Sequence, residues 1–237
     1  MPPTLWFFTY ASLFGGASLV CMTASLRAAR IDEPDVRWGL VALLLTSSVW
    51  AGIDFLLLLS DTLFWKEALY IIGLLSGFAT VWAWLYFCSA YAGQTLHRSR
   101  AVQVLALLLF SFVSLLKVTN PVHDQYFSLA VTTEPFPHVA VQPHVLYWVV
   151  NGLAYVLAAI GYVLLIPTLQ RAHTGRAPVA VLMGLTAFPI VLNGIGYTSP
   201  WLLEINHDAI GVATFAVGVL FVYDQSFEDV QRLSEQD

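Results

Sequence analysis

The chain has 237 residues, 58% of them hydrophobic and 11% charged, against roughly 25% charged in an ordinary soluble domain. That composition excludes a water-soluble globular protein and places most of the surface in lipid. The net charge of -5 owes much to the tail residues Glu228, Asp229, Glu235 and Asp237, so nucleic acid is not an expected partner.

A spanning helix takes about 20 mainly apolar residues, and seven such spans with short connections use up this length. The expected fold is an all-α membrane protein, a seven-transmembrane helix bundle with no room for a second folded domain. The first apolar run, Leu5 to Leu26, follows a start without a basic region and ends at Arg27 and Arg30 rather than at a small-residue cleavage site. It is expected to be a retained helix rather than a removed signal. The second span, Trp38 to Leu59, contains Asp54 one turn beyond Trp50, on the same helix face.

The third span, Ala68 to Ala92, carries Gly73 and Gly77 four residues apart, a spacing that lets helices approach closely and is read as bundle packing. Below them Phe78, Trp82, Trp84, Tyr86 and Phe87 make the helix strongly aromatic, which suits core packing or the wall of an apolar pocket for a lipid-like ligand. The fourth span, Ala101 to Val118, brings Lys117 to its end. Ionisable groups within spans are costly and mark candidate functional sites. Asp54 is read either as the counter-ion of Lys117 or as the partner of a neighbouring hydroxyl. Lys117 is read either as that counter-ion's cation or as a snorkelling headgroup contact.

From Asn120 to His144 runs a long connection with Pro121, Pro135, Pro137, Pro143, His123, His138 and His144, the natural place for a lid or ligand surface; hairpin, short helix and coil all remain open for it. The fifth span, Val145 to Leu169, contains Asn151. The sixth, Val179 to Thr198, contains Pro189, which removes a backbone donor and should kink the helix as a hinge or a fixed shape. Asn193 follows one turn later, in reach of a bond to Asn151, and Gly194 and Gly196 loosen the same half. Glu204, Asn206, His207 and Asp208 precede the seventh span, Ala209 to Tyr223. Asp208 is placed to cap that helix. A sharper reading joins His123, Asp124, His207 and nearby carboxylates into a proton-sensing or metal-binding cluster, although no tight ligand spacing is present and no metal is assigned.

Eight of the ten Lys+Arg residues fall in the odd connections and the tail: Arg27, Arg30, Arg37, Arg98, Arg100, Arg171, Arg176 and Arg232. Lys66 and Lys117 lie on the other side. The positive-inside bias then sets the N-terminus outside and the C-terminus in the cytoplasm, in a multi-pass protein of the cell (plasma) membrane. Trp6, Phe64, Trp65, Tyr126, Phe127, Trp148 and Trp201 mark the outer boundary, where amphipathic rings favour the headgroup layer. Cys21 and Cys88 sit in the inner halves of their spans, so a disulfide is not expected.

Microbial rhodopsins share this span count and orientation but hold retinal on a lysine of the seventh helix, and Ala209 to Tyr223 contains none. No retinal and no other cofactor is expected. Animal seven-helix receptors tie the third helix to an outer loop by a disulfide, and no cysteine stands in either place.

A different pattern runs through Val49-Trp50-Ala51, Trp65-Lys66, Leu69-Tyr70-Ile71-Ile72-Gly73, Tyr91-Ala92-Gly93 and Thr119-Asn120-Pro121-Val122-His123, then Pro189, Asn193 and Asp208. In order and spacing it resembles the N-terminal seven-transmembrane sensory region of prokaryotic sensor histidine kinases, over nearly the whole chain. The resemblance implies a sensor or receptor module, residues 1–223, that passes an extracellular or membrane-borne stimulus through the seventh helix to a cytoplasmic kinase acting in cis or in trans. Residues 224–237 are then the start of a cytoplasmic signalling helix. There is no phosphoacceptor box or ATP-binding domain, so this chain is not itself expected to be an enzyme, and a truncated sensory region is favoured. Phe227, Val230 and Leu233 share one stripe of that helix, as in a coiled coil, which suggests a parallel homodimer; the bland alternative is a frayed polar tail. The rival class is a small transporter or permease-like protein, which should show repeat-like halves and broken midplane helices.

Overall fold

The computed structural model describes residues 3–134, 136–171, 209–218 and 220. Its long helices are α1 (Pro3–Ala28), α2 (Pro34–Leu59), α3 (Leu63–Tyr91), α4 (Arg100–Val118) and α6 (Val145–Arg171). The stretches Thr4–Ala28, Pro34–Leu59, Leu63–Tyr91, Arg100–Val118 and Val145–Pro167 within them are each long and apolar enough to cross a membrane. A shorter apolar helix, α7 (Ala209–Gly218), falls in the seventh expected span. The sixth expected span with Pro189, Asn193, Gly194 and Gly196, the residues Glu204, His207 and Asp208, and the tail helix from 224 onward lie outside the described residues.

Local chemistry sets the helix ends. Pro34 opens α2, where its fixed φ suits a helix and its missing N–H would have no partner anyway. Thr62 caps α3 by accepting from the Trp65 N–H at 3.4 Å. At the other end Gly93 takes φ 65°. The Gly93 N–H then donates to the Ala90 carbonyl at 3.0 Å and the Gln94 N–H to the Ser89 carbonyl at 2.8 Å, a paired closure that needs a left-handed residue and so favours glycine.

Two glycines explain how closely α2 and α3 lie. A Cβ on Gly39 would come 2.7 Å from the Phe87 Cα, and one on Gly77 would meet the Trp50 ring at 2.8 Å. Gly77 therefore serves packing between α2 and α3, as its spacing suggested. Outward, Leu105, Leu107, Leu108, Phe112 and Leu115 of α4 and Val149, Val156 and Val163 of α6 are exposed. An apolar surface this extensive belongs against lipid rather than water.

At one end of the bundle, Asp35 in the first turn of α2 binds the connection between α3 and α4. Its Oδ2 lies 3.0 Å from His97 Nε2 and accepts from Arg98 Nε at 2.9 Å. Arg27, Arg30, Arg37 and Arg100 stand at this same end.

The opposite end carries the long connection. It is neither all coil nor all helix: a turn of helix, α5 (Asn120–His123), leads into an antiparallel hairpin of β1 (Phe127–Thr132) and β2 (His138–Pro143), in register from Phe127 opposite Pro143 to Thr132 opposite His138. Asn120, 1% exposed, holds its start. Its Oδ1 accepts from the N–H groups of Tyr126 at 2.9 Å and Phe127 at 3.2 Å, and its Nδ2 donates to the Phe127 carbonyl at 3.0 Å. Phe127 then packs edge-on against Tyr70 of α3 at 4.7 Å, and Phe136 against Phe7 of α1 at 5.7 Å. The hairpin is thus pinned to the bundle at two separate apolar clusters.

Candidate functional site

α3 supplies the centre of the site. Its turns place Leu74, Gly77, Phe78, Val81 and Trp84 along the wall of a cavity of about 400 Å³, bounded on other sides by α2, α6 and α7. The expectation that the aromatic run of α3 lines an apolar pocket holds for Phe78 and Trp84. Trp84 also anchors the helices around it. Its Nε1 donates to the Ala158 carbonyl of α6 at 3.1 Å, and its ring lies 5.1 Å from Tyr162 and 4.9 Å edge-on from Phe215 of α7. A Cβ on Gly161 would come 2.9 Å from the Trp84 Cδ1, so this glycine is what admits the indole.

Lys117 reaches the cavity from α4. Neither sequence reading of it survives. It is 3% exposed, so it does not snorkel to the headgroups. It does not pair with Asp54 either: its Nζ donates to the Leu74 carbonyl of α3 at 2.8 Å. The ammonium also lies 4.9 Å from the centre of the Phe78 ring and 5.8 Å from that of Tyr126, within range of attraction to the ring faces. The physical reason is proximity: the fourth helix packs on α3, so the side chain meets the near carbonyl before it can reach α2. Among the described residues no carboxylate forms an ion pair with it.

Asn151 of α6 also lines the cavity, and its buried Nδ2 has no hydrogen-bond partner among the described residues. The bond expected between it and Asn193 involves a residue outside the described set. Tyr126 and Tyr147 close the cavity on the hairpin side, 5.8 Å apart and edge-on. Burial pushes the Tyr126 phenol well above its ordinary value, which keeps it protonated.

Asp54 belongs to a different place. It is 4% exposed and lines a small pocket of about 20 Å³ with Tyr70 and His138, room for about one water. The His138 Nδ1 donates to the Phe136 carbonyl at 2.8 Å. Gly73 faces this carboxylate: a Cβ there would lie 3.6 Å from Asp54 Oδ1.

His123 is held by local backbone. Its Nδ1 accepts from the Gln125 N–H at 3.0 Å, and its Nε2 lies 3.3 Å from the Leu116 carbonyl and from Thr119 Oγ1. Asp124 ends α5 in the left-handed region at φ 49°, which Asp tolerates better than most residues. Among the described residues no group of three or more His, Cys, Asp or Glu side chains comes together to hold a metal ion. The members of that expected cluster on the other side, Glu204, His207 and Asp208, are outside the described residues.

Sequence reasoning named Asn120, Trp84 and His138 but missed their roles: Asn120 as the root of the hairpin, Trp84 as a hub, and His138 beside Asp54. For Asn120 a signal was present, since Asn-Pro directly after an apolar run favours a local turn. Gly161 inside an apolar span was a similar hint of a large side chain facing it.

No curated protein matches the chain. The family described as the N-terminal 7TM region of histidine kinase matches residues 10–228. That region is the sensory part of such kinases and not the catalytic one. The match runs from within α1 to beyond α7, over most of the chain, and the chain therefore belongs to the family of N-terminal seven-transmembrane regions of histidine kinases.

Proposed function

We propose that this bundle, as the sensor module of a histidine kinase, converts an extracellular or membrane-borne stimulus into a change of its seventh helix, and that this helix passes the change to a cytoplasmic kinase. The observation that carries the reading is the contact of Phe215 with Trp84, 4.9 Å between rings, in the wall of the large cavity. Whatever enters the cavity touches the helix that leads to the tail. Cys21 adds a second contact, its Sγ lying 3.6 Å from the Ala213 carbonyl. A stimulus acts here only through unequal affinity for two arrangements of these helices.

The direction of transfer is supported by the grouping of Arg27, Arg30, Arg37, Arg98 and Arg100 at one end, which the positive-inside bias assigns to the cytoplasm. The hairpin and the Tyr126 side of the cavity then face outward. A homodimer through the tail stripe of Phe227, Val230 and Leu233, acting in the plasma membrane without a bound cofactor, completes the proposal. Membership of a histidine kinase family gives no support to the transporter alternative.

The test is autophosphorylation of the full-length kinase in proteoliposomes. Phe215→Ala and Trp84→Phe should each shift basal output several-fold while leaving the protein folded and inserted. Wild-type output in both folded variants would sink the transmission reading.

A further inference from the structure

Two residues of the cavity wall carry buried donors that find few acceptors among the described residues. Lys117 is buried at 3% exposure, carries three N–H groups, and among the described residues has one backbone acceptor, the Leu74 carbonyl at 2.8 Å. Asn151 offers an amide Nδ2 that is buried and has no hydrogen-bond partner among the described residues. Both residues line the same space of about 400 Å³, within the range of roughly 300–1,000 Å³ usual for small-molecule sites. The rest of the described wall is mainly apolar and aromatic, including Trp50, Phe78, Trp84 and Phe215. A buried cation that no carboxylate pairs with among the described residues is costly in a membrane helix, and an anion brought to it offsets that cost.

We propose that the cavity binds a single-chain amphipathic carboxylate, its carboxylate on Lys117 Nζ and Asn151 Nδ2 and its hydrocarbon chain along Phe78, Trp84 and Phe215. The carboxylate is chosen over a phosphate by charge. Its single negative charge matches the one ammonium, whereas a phosphate brings up to two charges, more than one buried cation offsets. A neutral or cationic head would leave the ammonium uncompensated or repel it. The chain would lie against Phe215, so occupancy is read by the seventh helix. This assignment rests on the sensory reading for its purpose, but the site itself does not.

The experiment measures binding to the bundle alone, in nanodiscs, by native mass spectrometry and by the fluorescence of the indoles in the wall. The probes are dodecanoate, dodecanol, dodecyl phosphate and dodecyltrimethylammonium. Dodecanoate should bind at least tenfold more tightly than the other three. Lys117→Met should abolish that preference, Lys117→Arg should keep it, and Asn151→Leu should weaken dodecanoate by severalfold. Ala154→Trp, which fills the cavity and leaves both donors in place, should block binding and stands in for Lys117→Met should that variant fail to fold.

Equal binding of all four probes, tighter binding of the phosphate, or full dodecanoate affinity in a folded Lys117→Met or Ala154→Trp variant would each overturn the proposal. Kinase output is measured separately. Selective dodecanoate binding with no change in phosphorylation upholds the site and removes its sensory purpose.

Discussion

Lys117 on α4 gives its ammonium to the carbonyl of Leu74 on α3 at 2.8 Å, inside the bundle and among aromatic rings. Replacing buried ionic groups by apolar side chains of similar volume is often neutral or stabilising where no charged partner is left behind, and among the described residues no carboxylate pairs with Lys117. Lys117→Met should therefore leave the thermal midpoint of the unliganded bundle unchanged or raise it. A loss of about 3 kcal/mol or more, the cost of breaking a well-paired buried ion, would show that Lys117 is structural glue.

Gly77 on α3 and Gly16 on α1 make a contrasting pair. The Gly77 site meets the Trp50 ring at 2.8 Å, while nothing lies within 4 Å of a Cβ on Gly16. Gly77→Ala should cost about 1–3 kcal/mol through overpacking. Gly16→Ala should stabilise by roughly 0.5–1 kcal/mol, the usual gain from removing a helix-interior glycine. Both are read from unfolding in mild detergent. Equal effects would mean that α2 and α3 do not lie as close as described.

Asn120 satisfies two N–H groups and one carbonyl at the root of the hairpin. Asn120→Ala leaves these buried groups without partners, at about 1–3 kcal/mol. Amide hydrogen exchange should accelerate across residues 126–132 and stay unchanged in α1 and α2. Asn120→Asp retains the acceptor and loses the donor, so its effect should be smaller. Protection that survives in both variants would show that Phe127 against Tyr70 holds the hairpin alone.

The native thiols Cys21 and Cys88 are both buried and free, so they give a low background for topology mapping. In intact cells a cysteine placed by Ser99→Cys should be shielded from a membrane-impermeant maleimide, and one placed by Gln125→Cys should react. The reverse pattern would turn the bundle over and remove the outward-facing role of the hairpin.

Sequence alone determined the elements that obey local rules. Long apolar runs need internal hydrogen bonding in lipid, so the spans at Leu5 to Leu26, Trp38 to Leu59, Ala68 to Ala92, Ala101 to Val118 and Val145 to Leu169 match described helices to within a few residues. The order of Trp50, Tyr70, Gly73, Tyr91, Gly93, Asn120 and His123 likewise carried the family. The hairpin was harder to foresee, since its strands are short, prolines stand between them at 135 and 137, and it depends on anchors at Asn120, Tyr70 and Phe7.

What the tertiary structure decided is which side chains meet. Charge and depth alone left Asp54 as one of two readings for Lys117, because a sequence reports that both ions fall within spans but not which helix stands beside which. The packing of α4 on α3 sent Lys117 to Leu74 and toward a cavity, and left Asp54 facing Tyr70 and His138 in another. Proximity between helices is set by small residues such as Gly39, Gly77 and Gly161 opposite large rings, and that complementarity exists only once the chain has folded.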